Sequence, residues 1–273
     1  MGVMPNTSSF HYIDLKHDDC VTLITLKRPD RLNAITWDMA TELHDALDEV
    51  SNEFPAIRVV IITGEGRGFC SGADVGDMSA RLQQSQSDSM NNVDNGPSVT
   101  MQLAPHIRAI PQPIIAAVNG AAAGAGLGIA LSCDIRVASS EARFASVFVK
   151  RSLAPDTGVS QIISALAGPG IAAEMTLTGN VYGAEWALSK GLVNEVVSST
   201  ELIERARIIA MQIAGNPPLA VKATKQLLNS NYPDLGRVIE AEHFANGPIH
   251  DTMDRLEAVN AFLEKREPKF TGM

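Results

Sequence analysis

The chain has 273 residues, a formal net charge of −9 and 45% hydrophobic residues, enough for one large domain or one domain with a helical appendage. The acidic balance argues against nucleic acid as the general partner, while leaving room for a local basic pocket. Three cysteines without framework spacing (Cys20, Cys70, Cys133), no N-terminal basic segment leading into an apolar core, and scattered histidines with no HExxH or CxxC point to a reducing compartment, the cytoplasm by default, and to no metal centre.

Residues 1–9 read as a loose tail. Residues 12–15 and 20–26 alternate apolar with polar and predict a hairpin around residues 16–19. The loop KRPDRLNA (27–34) holds the cations Lys27, Arg28 and Arg31; it suits a solvated turn or a phosphate-facing loop. Thr36 can cap a helix over 37–50 whose apolar face is Met39, Leu43, Leu47 and Val50. RVVIIT (58–63) is a strand of the buried type, followed by the glycine-rich turn GEGRGFCSGAD (64–74). Within it GFCSG resembles a nucleophile elbow, but four residues separate it from the strand, so Cys70 reads as a small buried residue. Residues 79–98 are polar and low in complexity, which predicts a mobile segment. A short helix over 101–110 ends at Pro111 and Pro113.

The stretch PIIAAVNGAAAGAGLGIALSC (113–133) follows. It reads as a buried strand (114–118), an Asn119-Gly120 turn and a Gly/Ala run opening a helix. Gly124, Gly126 and Gly128 are expected to leave backbone N–H groups uncovered at the helix start, where negative charge is stabilised. Rival readings are a membrane span, which Asn-Gly interrupts; a dinucleotide loop, whose G-x-G-x-x-G spacing is not matched; and close helix packing without chemistry. Further on, 135–138 is a strand and 142–145 an extended piece. Pro155 stiffens a turn before a helix over 158–167. Asp156 there is either the helix N-cap, which would lower its pKa, or a carboxylate aimed into a pocket. Short helices over 171–178 and 184–190, with Gly191 as a stop, lead to a strand over 192–197. From residue 200 helical patterns dominate (201–214, 219–229, 234–246, 251–265). The expected division is a core domain over 1–199 and a helical region over 200–273 that packs on the core and on a neighbouring subunit.

Taken together, LKRPDRLNAI (26–35), GRGFCSGADV (66–75), IIAAVNGAAAGAGLGIALSCDIRVAS (114–139), the turn at 155–158, GNVYGAEWALSKGLVNEVV (179–197) and DRLEAVNAFLEKR (254–266) resemble the crotonase superfamily, the enoyl-CoA hydratase/isomerase family. The set spans nearly the whole chain in family order. The resemblance implies an α/β fold, a ClpP-like spiral of repeated ββα units, with C-terminal helices that build a homotrimer or a dimer of trimers. It implies an acyl-CoA thioester as ligand, so coenzyme A is part of the substrate and no separate cofactor is expected. The backbone N–H groups of Ala73 and Ala125 take the role of an oxyanion hole. Arg31, Leu32, Ala34, Ser71, Ala73, Asp74 and Val75 line the CoA path, and Lys265 matches a lysine that reaches the CoA phosphates.

The departures discriminate among activities. At the two positions where the family's hydratases carry glutamates stand Gly128 and Phe148, neither of which transfers protons. Asp156 remains, at the acidic position of members with a Pro-Asp/Glu turn, several of which are double-bond isomerases. The expected activity is therefore enoyl-CoA isomerisation with Asp156 as the single acid/base. The alternatives are 2-enoyl-CoA hydration, a nucleophilic role for Asp156 as in aryl-CoA dehalogenases (whose partner histidine would fall at Met101), and a non-catalytic acyl-CoA-binding protein.

Overall fold

The strand Val59–Gly64 (β3) and its neighbour Ile114–Val118 (β5) run through the centre of a six-stranded sheet and are buried along their whole length. Their side chains still sort by parity. Val60, Ile62, Ile114, Ala116 and Val118 enter the main core. Val59, Ile61, Ile115 and Ala117 enter a second core on the opposite face. A run without polar alternation thus codes for a strand covered on both sides.

The computed structural model describes residues 10–77, 96–230 and 232–273. The predicted tail (1–9) and most of the predicted mobile segment (79–98) lie outside them. Strands Ile13–Asp18 (β1) and Val21–Leu26 (β2) form the antiparallel hairpin, longer in its first strand than expected. The sheet order is β1-β2-β3-β5-β7-β10, with Ile135–Ser139 as β7 and Glu195–Val197 as β10, and every pairing after the hairpin is parallel. A second sheet joins Gly68–Cys70 (β4), Ala121–Ala123 (β6), Arg143–Ala145 (β8) and Val181–Gly183 (β9). Two segments that read as glycine-rich turns therefore each contain a short strand, and β4 and β6 pair with each other.

The first helix, Trp37–Asn52 (α1), is capped by Thr36, whose side chain accepts from the Met39 N–H at 3.2 Å. Its buried face contains the four predicted residues together with Ala40 and Ala46. Helices Leu103–Ala109 (α2), Ala125–Ser132 (α3), Val159–Ala167 (α4), Pro169–Thr178 (α5) and Ala184–Ser189 (α6) follow. The C-terminal region consists of Leu202–Ala214 (α7), Pro218–Asn229 (α8), Leu235–Asn246 (α9) and Met253–Leu263 (α10).

This region is built into the core. Leu202, Ala206, Ala210 and Ala214 of α7 form a stripe at i, i+4 spacing that covers the second face of the six-stranded sheet. Helix α8 inserts Lys225, 5% exposed, whose Nζ lies 3.0 Å from Asp134 and donates to the carbonyls of Gln112 (2.8 Å) and Ile107 (3.3 Å). Among the described residues no helix is long and apolar enough to cross a membrane.

Candidate functional site

Two loops at the ends of parallel strands meet here. The first runs from β3 through β4 to Val75. Asn33 and Asn119 tie it down: Asn33 Nδ2 donates to the carbonyls of Glu65 (2.9 Å) and Gly68 (2.7 Å). Asn119 Oδ1 accepts from Gly64 N–H (3.1 Å), and its Nδ2 donates to Gly66 O (2.9 Å) and Gly68 O (3.0 Å). The predicted Asn-Gly turn is thus also a cross-link between the two loops.

The second loop runs from β6 into α3. Gly72, with φ of +99°, lets the loops touch: a Cβ there would stand 2.9 Å from Ala123 O and 3.7 Å from Ala125 N. Ala125 is the first residue of α3, after Gly124, so its N–H points out of the helix end. Ala73 forms an isolated parallel bridge with Ile35 through its neighbours, Ile35 N–H to Gly72 O (2.8 Å) and Asp74 N–H to Ile35 O (2.9 Å). That geometry turns the Ala73 N–H away from Ile35. Among the described residues neither the Ala73 nor the Ala125 N–H has a backbone acceptor.

The three helix-start glycines do not all bare their N–H groups as expected. Gly124 N–H donates to Ala145 O (3.0 Å) and Gly128 N–H to Gly124 O (3.1 Å). Gly128 instead permits close packing. A Cβ on it would lie 2.6 Å from Thr157 O and 2.7 Å from Thr157 Cβ and Cγ2. The space beside Gly128, where the resemblance places a glutamate in hydratases, is filled by Thr157, which is fully buried and has φ of +53°. A β-branched residue in the left-handed region is strained, and such strain concentrates at functional sites. Phe148, where the resemblance places the second hydratase glutamate, is 5% exposed. Its Cζ lies 4.0 Å from where a Gly124 Cβ would be, so the ring walls the loop that opens α3.

Thr157 brings Asp156 with it. Gly128 is one turn along α3 from Ala125, about 4.5 Å in axial rise, so the Asp156 turn lies against the first turn of α3. Asp156 is partly buried, and one of its carboxylate oxygens accepts a 2.7 Å hydrogen bond from Thr157 Oγ1. Burial pushes its pKa up to about 6, with the Thr157 hydroxyl and the Arg255 charge opposing. The N-cap alternative fails. Helix α4 is capped by Gly158 without a side-chain bond. Its free N–H groups are taken by Glu242 of α9, which accepts from Gly158 N–H (2.8 Å) and Ser160 N–H (3.0 Å).

The predicted CoA-path residues fall into two groups. Arg31, Leu32, Ala34, Ser71, Ala73, Asp74 and Val75 come together: Ser71 N–H donates to Leu32 O (3.0 Å), and Ser71 Oγ to Arg31 O (3.2 Å). Asp74 is engaged by Arg28 at 2.9 Å, and Arg28 also donates to Ala34 O. Arg28 therefore organises this wall from inside, whereas the Arg31 side chain is 71% exposed. Lys265 follows α10 and, among the described residues, makes no hydrogen bond to those loops; its own N–H goes to Phe262 O at 3.2 Å. Cys70 is fully buried and its thiol is pushed up to about 11 by burial, which removes it as a nucleophile. Among the described residues no group of metal-binding side chains occurs.

Sequence reasoning missed Glu242, Asn246 and Arg255, all buried against the Asp156 loop from the C-terminal helices. Nothing in their local sequence marks them, because a charged or amide side chain on a helix ordinarily faces solvent.

Comparison with known proteins bears on this arrangement. The family model for enoyl-CoA hydratase/isomerase matches residues 16–273. A short-chain-enoyl-CoA hydratase of Clostridium acetobutylicum is 36% identical, covering 93% of this chain and 95% of that protein. A 1,2-epoxyphenylacetyl-CoA isomerase of Escherichia coli is 35% identical, covering 92% and 95%. Among solved structures, an enoyl-CoA hydratase from Mycobacterium avium subsp. paratuberculosis superposes with a TM-score of 0.84 at 31% identity, over 96% of this chain and 100% of that one. The parallel strand ends that carry the two loops, the match along nearly the whole sequence and the shared fold have one reading: the chain belongs to the enoyl-CoA hydratase/isomerase family and has the crotonase fold.

Proposed function

We propose that the protein is an acyl-CoA enzyme of isomerase type, moving the double bond of a 3-enoyl-CoA to the 2-position with Asp156 as its single acid/base. The observation that carries this reading is the turn against Gly128. Thr157 fills the space of the first hydratase glutamate and sets Asp156, a carboxyl with its pKa raised to about 6, beside the first turn of α3. The Ala73 and Ala125 N–H groups receive the thioester oxygen as negative charge develops on it. Ionised Asp156 takes a proton from the α-carbon, forming the dienolate and its own neutral acid. It then delivers that proton two carbons along, and the charge on oxygen collapses into the conjugated thioester. A base poised near neutrality can both take and return a proton. Phe148 keeps water from the dienolate. Arg31, Leu32, Ala34, Ser71, Asp74 and Val75 hold the CoA moiety in this reading, with Lys265 on its phosphates from a neighbouring subunit.

Hydration of a 2-enoyl-CoA is the second reading, favoured by the names of several relatives. It requires a positioned water and ordinarily a second carboxylate. The two are separated by assaying wild type and Asp156→Asn on a 3-enoyl-CoA and on crotonyl-CoA. The isomerase reading expects turnover of the first substrate and a loss of about 10²–10⁴-fold on substitution. Undiminished isomerisation by the variant, or efficient hydration of crotonyl-CoA alone, overturns it. A protein that binds acyl-CoA yet exchanges no α-proton into heavy water would be a binding protein instead. We place the assembly as a homotrimer or a dimer of trimers in the cytoplasm. Support for assembly comes from exposed Leu219, Leu227, Leu228 and Phe244 on α8 and α9.

A further inference from the structure

The segment that carries Asp156 is held by polar side chains from the C-terminal helices. Arg255 of α10 donates to Arg151 O (2.6 Å). Asn246 of α9 accepts from Ala154 N–H (3.0 Å) and donates to Ala154 O (3.2 Å). Glu242, one turn earlier on α9, accepts from Gly158 and Ser160 N–H and receives no ion pair among the described residues. Glu242, Asn246 and Arg255 are 5%, 6% and 3% exposed. Backbone groups are thus gripped on both sides of Asp156, at 154 and at 158–160, by one face of one helix.

A buried carboxylate is costly, and a helix cap alone would be served by an Asp or Ser at the cap position itself. Gly158 occupies that position instead and leaves the task to a residue 84 positions away. The groups facing the pair are Asp156, Thr157 and Ser160 from the loop, Arg255 from α10 with Arg151 and His250 around it, and Asn246 on α9 itself.

We propose that Glu242 is a positioning residue for Asp156: its carboxylate, bonded to the Gly158 and Ser160 N–H groups, fixes the turn that aims Asp156 at the start of α3. This rests on the reading of Asp156 as the acid/base. Burial raises the Glu242 pKa to about 7, with the Ser160 hydroxyl and the Gly158 and Ser160 N–H groups opposing and the Asp156 charge adding a smaller push upward.

The test uses the full-length protein. Glu242→Gln keeps the shape but turns an amide N–H₂ toward one of the two backbone donors. A displacement near 1 Å costs about 10²-fold in such geometry. The expected result on a 3-enoyl-CoA is a fall in kcat of about 10- to 100-fold with KM within threefold. A purely structural cap would lower the melting temperature and leave kcat per folded molecule unchanged. The second measurement is the titration of Glu242, followed by NMR of its side-chain carboxyl carbon, in wild type and Asp156→Asn. Loss of the Asp156 charge is expected to move the Glu242 midpoint down. Wild-type kcat in folded Glu242→Gln, or an unmoved Glu242 midpoint in Asp156→Asn, overturns the proposal. The NMR result stands apart from turnover. Full isomerase activity in Asp156→Asn would remove the assigned reaction, whereas the midpoint shift would still report that the turn holds the two carboxyl groups near each other.

Discussion

Asp156→Asn tests function and energetics at once, because the same burial that tunes the proposed base costs the fold stability. The carboxyl pKa rises from 3.8 to about 6 on folding, chiefly through loss of solvent, with the opposing Thr157 hydroxyl and Arg255 charge already included. Below about pH 4 the group is protonated in both states and the fold carries no penalty. Between about pH 4 and 6 the native state holds a proton that the unfolded chain releases, so this group's contribution to stability falls as pH rises. Above that window the ionised form costs the fold about 2–3 kcal/mol, at about 1.4 kcal/mol per pKa unit and trimmed for partial exposure. Asparagine removes the charge and keeps an acceptor for the Thr157 hydroxyl. The variant should be more stable than wild type at pH 8 by that amount, a rise in melting temperature of about 5–10 °C, while losing the proposed isomerase activity. Thermal melts from pH 4 to pH 8 read the difference. A variant no more stable at pH 8, or one whose advantage is the same at pH 4, refutes the reasoning that burial of an ionised carboxyl sets the properties of this site.

Three further outcomes follow from the packing. Ala125→Pro deletes one proposed oxyanion donor at the first helical position, where proline is tolerated and no internal hydrogen bond is lost. Steady-state kinetics should show kcat reduced about 10²–10³-fold, with the melting temperature nearly unchanged. Gly128→Ala forces a methyl group against the backbone carbonyl of Thr157, which cannot yield as a flexible side chain would. Denaturant titration should show a loss of about 1–3 kcal/mol, accompanied by reduced turnover as the Asp156 turn is displaced. Lys225→Met breaks a buried pair with Asp134 and leaves the Gln112 and Ile107 carbonyls without their donor. The expected loss is about 3 kcal/mol of stability, read by chemical denaturation, with kcat of the folded protein unaffected.

What the sequence determined by itself is whatever depends on local pattern. The cap and apolar face of α1 follow from Thr36 and a spacing of three and four. The doubly covered strands β3 and β5 follow from apolar runs without polar alternation. Asp156 after Pro155, Gly128 and Phe148 were legible through the family resemblance, and so was the pairing of the 66–75 loop with the 119–128 stretch. The tertiary structure alone decided what those residues do to each other. No local signal says that Gly128 makes way for Thr157, since that contact is made between α3 and a loop in the left-handed conformation. The reading of Asp156 as a helix cap was open until Glu242 was seen to accept the helix N–H groups from 84 and 82 residues away. Charge type and helical spacing place a residue on a helix. Burial, which turns an ordinary surface glutamate or arginine into a group that holds the Asp156 loop, is a property of how helices α9 and α10 pack, and it exists only in the folded chain.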